Sequence, residues 1–203
     1  WLEGNGLTRL EGLENQSMMR TLYVHENLIE KIEGLDSMLK ASCKNFIKCV
    51  ENLSHLGTLT TLLLSYNCLR SADDLRHVLQ CPSLQTLDLQ HNRIDDPQVV
   101  EVVAAMPDLR VLYLQGNPVI KKIQHYRKVT VSRCLQLKYL DDRPVFDNER
   151  RRCMAWATGL VEGGISRAQE AEREEMGRIR DEKREAQDRQ HFAFEKVRKH
   201  KQK

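Results

Sequence analysis

Six cysteines, seven histidines and three adjacent aspartate pairs are the residues of this 203-residue chain that could hold a metal or run an acid–base step. The cysteines are Cys43, Cys49, Cys68, Cys81, Cys134 and Cys153. None stand as C-x-x-C, and no His-x3-5-His partner accompanies them, so zinc-ligand spacing is missing. They read as small apolar fillers in a reducing, cytosolic or nuclear compartment. The carboxylate pairs are Asp73-Asp74, Asp95-Asp96 and Asp141-Asp142. Adjacent residues on an extended chain point to opposite sides, so these pairs do not converge on one ion. Turn and capping roles suit them better, and Asp96-Pro97 reads as a helix start. The sequence holds no G-x-x-x-x-G-K-[ST], no G-x-S-x-G and no H-E-x-x-H. The chain is therefore read as a non-enzyme, with no cofactor and no metal.

The residue type that does recur at regular spacing is asparagine: Asn5, Asn27, Asn45, Asn67, Asn92 and Asn117, in steps of 22, 18, 22, 25 and 25. Leucines precede each at fixed offsets, in the frame L-x-x-L-x-L-x-x-N-x-L. The fullest copies are Leu84, Leu87, Leu89, Asn92, Ile94 and Leu109, Leu112, Leu114, Asn117, Val119. The L-x-L alternation puts its leucines on one face of a short strand. The chain must then turn sharply, which strands backbone N–H and C=O groups in the interior. An asparagine amide offers both a donor and an acceptor to satisfy them. A single coil cannot bury its apolar face, whereas stacked coils share one core. The frame predicts an α/β leucine-rich-repeat solenoid: short parallel strands on the concave face, helical or 3-10 return legs, a C-terminal cap, then a long charged α-helix. One copy departs from it. Lys40 and Ser42 stand where apolar residues belong, and that coil is four residues short, so a missing or distorted strand is expected near residues 36–45.

The elements also say where a partner would lie. Residues between the strand leucines face the concavity. Four positions before each asparagine stand Trp1, Tyr23, Leu63, Asp88 and Tyr113. Two positions before stand Glu3, His25, Ser65, Gln90 and Gln115, and six before stand Thr21, Thr61, Thr86 and Val111. Aromatic side chains on a rigid surface are common interface anchors. The competing reading is plain β-propensity. The equivalents in the defective coil, Leu39, Ala41 and Cys43, are not assigned to the face.

Around the repeats the organisation reads as follows. Residues 1–117 carry about six repeats, the third defective. Residues 118–156 cap the solenoid, 157–164 form a glycine-containing linker, and 165–203 form a charged helical tail with i,i+4 pairs such as Glu174–Arg178 and Glu185–Arg189. Trp1 already sits inside the frame, which reads as a chain entered part-way through. Charged residues make up 30% and the net charge is only +3, which gives no footprint for nucleic acid. No apolar run approaches the ~20 residues of a membrane span. The chain is expected to be monomeric.

Within this fold the coil type, with E-G-L at Glu11–Leu13 and Glu33–Leu35, resembles the 22-residue class typified by a phosphatase regulatory subunit. More narrowly, W-L-E-G-N-G-L-T-R-L-E-G-L-E-N-Q-S at Trp1–Ser17, G-N-P-V-I-K-K-I at Gly116–Ile123 and L-D-D-R-P-V-F at Leu140–Phe146 resemble the dynein axonemal assembly factor 1 family. The resemblance covers about residues 1–156. It implies a protein-binding scaffold acting in the cytoplasm, with cilium or flagellum association, in pre-assembly of axonemal dynein arms. The partners it implies are axonemal dynein subunits, chaperones or other assembly factors. The alternatives are a regulatory subunit of a protein phosphatase and, from the similar coils of one spliceosomal protein, a ribonucleoprotein component. The short third coil departs from the family, which has a full-length coil there.

Overall fold

The computed structural model describes Thr8, Ile29, residues 46–50 and residues 59–200, with side chains through Phe192. The expected defect at 36–45 and the positions Trp1, Glu3, Asn5, Thr21, Tyr23, His25, Asn27 and Asn45 lie outside the described residues. The chain divides into two compact units, Trp1–Val145 and Phe146–Lys203.

The first unit is built on one five-stranded sheet. Strands β1 (Thr61–Leu63), β2 (Thr86–Asp88), β3 (Val111–Tyr113) and β4 (Tyr139–Leu140) are parallel neighbours in chain order, and β5 (Arg143–Pro144) closes the edge antiparallel to β4. Leu62, Leu87, Leu112 and Leu140 stand directly in register across the four parallel strands, and all are fully buried. Leu59, Leu84, Leu109 and Leu137 form a second buried stack, and Leu64, Leu89 and Leu114 a third. Each leucine thus packs on its own equivalent one coil away, so truncating a central one such as Leu89 to Ala should cost about 2–5 kcal/mol. At the far edge Pro144 stands on the last strand, where a missing N–H blocks further pairing.

The return legs differ from coil to coil. They are a 3-10 helix (Asp73–Gln80), then α1 (Val99–Ala104), then α2 (Val119–Lys122) with α3 (Tyr126–Arg133). What they share is the buried residue that follows each asparagine by two: Leu69, Ile94 and Val119. Cys81, Met106 and Cys134 occupy one equivalent position, three residues before the leucines Leu84, Leu109 and Leu137 that lead into the strands, and all three are buried. Burial pushes the Cys81 thiol up to about 11, so at neutral pH it is an apolar filler rather than a nucleophile.

The short coil keeps its place in the stack on either side of residues 30–45. The Phe46 N–H donates to Ile29 O at 3.1 Å, Cys68 N–H to Ile47 O at 2.9 Å, and Arg93 N–H to Leu69 O at 2.9 Å. These are the same bond repeated coil by coil, from the residue after one asparagine to the residue two past the one before. The deficit in length therefore does not disturb this rung.

The second unit is one helix by hydrogen bonding, α4 (Asp147–His200), but its backbone leaves helical geometry at Gly163 (φ −159°) and Gly164 (φ 72°). Residues 157–162 are helical, where the sequence suggested linker, and only the two adjacent glycines break the run. The break reverses the chain. Arg151 donates to Glu175 at 2.7 Å and Arg152 to Glu172 at 3.0 Å, so limbs 147–162 and 165–200 lie antiparallel. A side chain at Gly159 would sit 2.7 Å from the Arg167 carbonyl oxygen, which shows how closely the backbones approach. Cys153, Trp156, Ala168 and Ala171 are buried in this unit. The charged tail is the long helix expected from the sequence, and it forms the second limb of a helical hairpin. Among the described residues no helix is long and apolar enough to cross a membrane.

Candidate protein-binding face

Three rows of side chains run across the sheet on the side away from the leucines. One is Thr61, Thr86, Val111 and Tyr139, aligned by strand register. The next is Leu63, Asp88 and Tyr113. The third, at the strand exits, is Ser65, Gln90 and Gln115. Thr61, Leu63, Thr86, Asp88, Gln90, Val111, Tyr113 and Gln115 are all partly exposed. Ser65 is not: it is 3% exposed and so offers no surface of its own. Its hydroxyl instead bonds the Asp88 side chain. Leu63 and Tyr113 are half-buried rather than fully presented, because neighbouring strands cover their flanks.

The asparagines that hold these rows in place are each 5% exposed. Asn92 shows the arrangement in full. Its Oδ1 accepts the Leu69 N–H (3.2 Å), and its Nδ2 donates to Leu64 O (2.7 Å), Leu89 O (3.0 Å) and Gln90 O (3.2 Å). Asn117 repeats the pattern on Ile94 N–H, Leu89 O and Leu114 O. Asn67 accepts from Ile47 N–H at 3.1 Å and donates to Leu64 O and Ser65 O. Each side chain joins the turn of its own coil to the coil before it.

Beside the asparagines lies a set of residues that the leucine frame does not reveal. Tyr66, His91 and Gly116, each one position before an asparagine, all have left-handed backbones, with φ of 57°, 52° and 81°. The Tyr66 and His91 rings stack at 4.5 Å, and a Cβ at Gly116 would lie 2.5 Å from His91 Nδ1. Gly116 hints at this in the sequence and His91 does so weakly, since histidine is among the non-glycine residues enriched at positive φ, whereas Tyr66 carries no such hint. The final rung is also different. Asp141, with φ 54°, takes the Leu114 N–H (2.9 Å) and the Gln115 N–H (3.0 Å) on one carboxylate oxygen. Tyr126 is largely buried beside it. Burial first, then the Asp141 charge, hold that phenol well above its ordinary value, so it stays protonated. Arg127 ties the cap by donating to Leu140 O and Pro144 O.

Asp88 stands apart electrostatically. Its carboxyl is held above the usual value, chiefly by burial between strands; the Gln90 N–H (2.9 Å), the Ser65 hydroxyl and nearby His91 partly offset this. The other carboxylates perform structural tasks. Asp74 accepts the Arg70 and Ser71 N–H groups, Asp96 those of Ala72 and Gln98, and Lys122 pairs with Asp95 at 2.8 Å. Among the described residues no group of three or more His, Cys, Asp or Glu could hold a metal ion. The described rows thus form a largely neutral surface of threonine, valine, leucine, tyrosine and glutamine side chains around Asp88.

Comparison with known proteins places this geometry among others of its kind. The family model described as Leucine-rich repeat matches residues 42–159. Leucine-rich repeat-containing protein ODA7 of Chlamydomonas reinhardtii is 49% identical over 108 residues, covering 53% of this chain and 25% of that protein. Dynein axonemal assembly factor 1 of Homo sapiens is 44% identical over 108 residues, which is 53% of this chain and 15% of that protein. A Dynein axonemal assembly factor 1 homolog of Drosophila pseudoobscura pseudoobscura is 40% identical over 126 residues, 62% of this chain and 8% of that protein. The chain thus matches at most a quarter of the length of these relatives. Among solved structures, the Drosophila melanogaster SNF/U2A' complex aligns with a TM-score of 0.48 at 19% identity, over 76% of this chain and 78% of that one.

Proposed function

Since the chain belongs to the leucine-rich-repeat family, we propose that it is a non-catalytic scaffold that grips proteins on its concave sheet during cytoplasmic pre-assembly of axonemal dynein arms. The observation that supports this reading is the 40–44% identity to proteins named dynein axonemal assembly factor 1 or its homolog, over a stretch that exceeds half the chain. The surface supports the same role. Its strands are rigidly registered, its backbone groups are satisfied within the coils, and its exposed rows mix apolar, aromatic and amide side chains, the composition of protein interfaces. The partners are dynein subunits or the chaperones and assembly factors that handle them, and the site of action is the cytoplasm of ciliated cells.

The test is removal of the gene in a ciliated cell, followed by electron microscopy of axoneme cross-sections. Outer and inner arms should be lost or sparse, and restored by the wild-type gene. Normal arms in a verified null overturn the reading. A null with normal arms but altered phosphatase targeting would move the assignment to a phosphatase regulatory subunit.

A further inference from the structure

We propose that Asp88 is the docking point for one cationic side chain, a lysine or arginine, that a protein partner lays across the concave sheet. This rests on the concave face being the binding surface, as proposed above, and adds the chemistry of what binds there.

The first argument is charge complementarity. From β1 to β3 the side chains of the three rows are threonine, valine, leucine, tyrosine, serine and glutamine, with Asp88 as the one charged group on those strands. Asp141, at the end of the middle row, is the next carboxylate, and one of its oxygens takes two backbone N–H groups. The rows hold no lysine or arginine among the described residues. A partner that covers this face must therefore bring the positive charge itself. Otherwise it would bury an uncompensated carboxylate, at a cost that disfavours binding.

The second argument is that the fold does not need an acid at this position. Asp96 and Asp141 receive N–H groups from other coils, and Asp74 takes two from the turn just before it. Asp88 receives only the Gln90 N–H, two residues along its own strand, and the Ser65 hydroxyl. The equivalent positions in the flanking coils are Leu63 and Tyr113, so the same strand geometry forms without a carboxylate. Burial also raises its pKa, so its charged form is disfavoured in the free protein. Its one bond from another coil comes from the Ser65 hydroxyl, which an amide oxygen could accept as well, so the negative charge itself serves no bond of the fold and is explained by a partner.

The third argument is geometry. Leu63 and Tyr113 flank Asp88 in register on strands spaced by roughly 4.8 Å. They form walls that keep water off a salt link at the centre, where such a pair is strongest. The Gln90 and Ser65 bonds fix the carboxylate in place, and a carboxylate has about four lone-pair directions, so acceptor capacity remains for the incoming cation.

The test is selection of a phage-displayed random 12-mer peptide library on the full 203-residue chain. Enriched peptides are then measured against wild type, Asp88→Asn, Tyr113→Ala and Leu63→Arg, each checked for native circular dichroism. Enriched peptides should share a basic residue and bind Asp88→Asn about tenfold more weakly or worse, with a matching loss when the basic residue is replaced by norleucine. If peptides lose affinity on Tyr113→Ala and Leu63→Arg but not on Asp88→Asn, the cation site is wrong and the concave face stands. If they bind all variants equally, or none are enriched, the concave reading fails with it.

Discussion

The imidazole of His91 lies against the phenol of Tyr66, centroids 4.5 Å apart and planes 16° from parallel, while the Cα of Gly116 meets the imidazole so closely that a methyl group there would overlap it. These three residues, one per coil, make a stack along one edge of the sheet, each with a left-handed backbone.

Gly116→Ala should therefore destabilise the protein by about 1–3 kcal/mol, from backbone strain together with displacement of the His91 ring. Tyr66 and His91 show that side chains can be borne at this backbone angle, so the overlap is the separable part. In a double-mutant cycle with His91→Ala, measured by urea unfolding, the alanine at 116 should cost less than it does alone. Equal cost in both backgrounds would assign the whole effect to the backbone.

Asn92 serves one N–H and three carbonyls. Asn92→Ala should cost roughly 2–5 kcal/mol, since Leu69 N–H and Leu64 O lose a partner in a dry interior. Asn92→Asp should cost more at neutral pH, because a charged oxygen would then face the Leu64 and Leu89 carbonyls. Acidification should restore part of its stability, once the carboxyl can donate a proton to one of them. Thermal melts at pH 7 and pH 4.5 separate the two variants.

Burial holds the folded pKa of Asp88 above its unfolded value. The sign follows: the protonated group favours the fold, that contribution is complete below the unfolded value, and it is lost as pH rises through the folded one. At pH 7 the ionised group works against stability. Asp88→Asn, whose amide oxygen can still accept the Gln90 N–H, should raise the midpoint by roughly 1–3 °C at pH 7, with the gain shrinking toward pH 4. A lower midpoint at pH 7 would mean that the carboxylate supports the fold.

In the helical hairpin, Gly159 faces backbone rather than a side chain that could swing aside. Gly159→Val should force the limbs apart and expose Trp156, which is 2% exposed in the native unit. In a Trp1→Phe background, Trp156 emission should shift to longer wavelength. Arg151→Ala, which removes links to Glu175 and Glu182, should produce a smaller shift, and that shift should be mimicked in part by high salt. An unshifted spectrum for Gly159→Val would rule out close limb packing.

Leucine and asparagine positions in residues 59–145 were legible because both periodicities are local: alternate residues share a strand face, and one amide serves one turn. Other features depended on chain that is distant in sequence. Tyr66 has no mark of left-handed backbone in its residue type, and His91 only a weak one. Gly163-Gly164 read as slack, yet the limbs on either side bind each other. Arg151 finds Glu175 and Glu182 across that break, whereas a helix read alone pairs charges only with neighbours three or four residues away. The pairs Glu174–Arg178 and Glu185–Arg189, legible on that local rule, are present. Asp141 reads in the sequence as one more turn aspartate, and its work on Leu114 and Gln115 becomes visible only once the cap is folded. On the concave face the rows were legible by alternation, but the burial of Ser65 under Asp88 was not.

The asparagine bonds tie neighbouring coils. Asn67 accepts from Ile47, Asn92 from Leu69, Asn117 from Ile94, and Asp141 from Leu114. In each case the N–H of one coil is satisfied by the side chain of the next, and Asn92 and Asn117 in return donate to Leu64 O and Leu89 O of the coil before. Each amide is therefore a rivet driven through two coils. Asp141 ends the row of rivets: it takes the Leu114 and Gln115 N–H groups on one oxygen, but as a carboxylate it has no amide N–H to hand back.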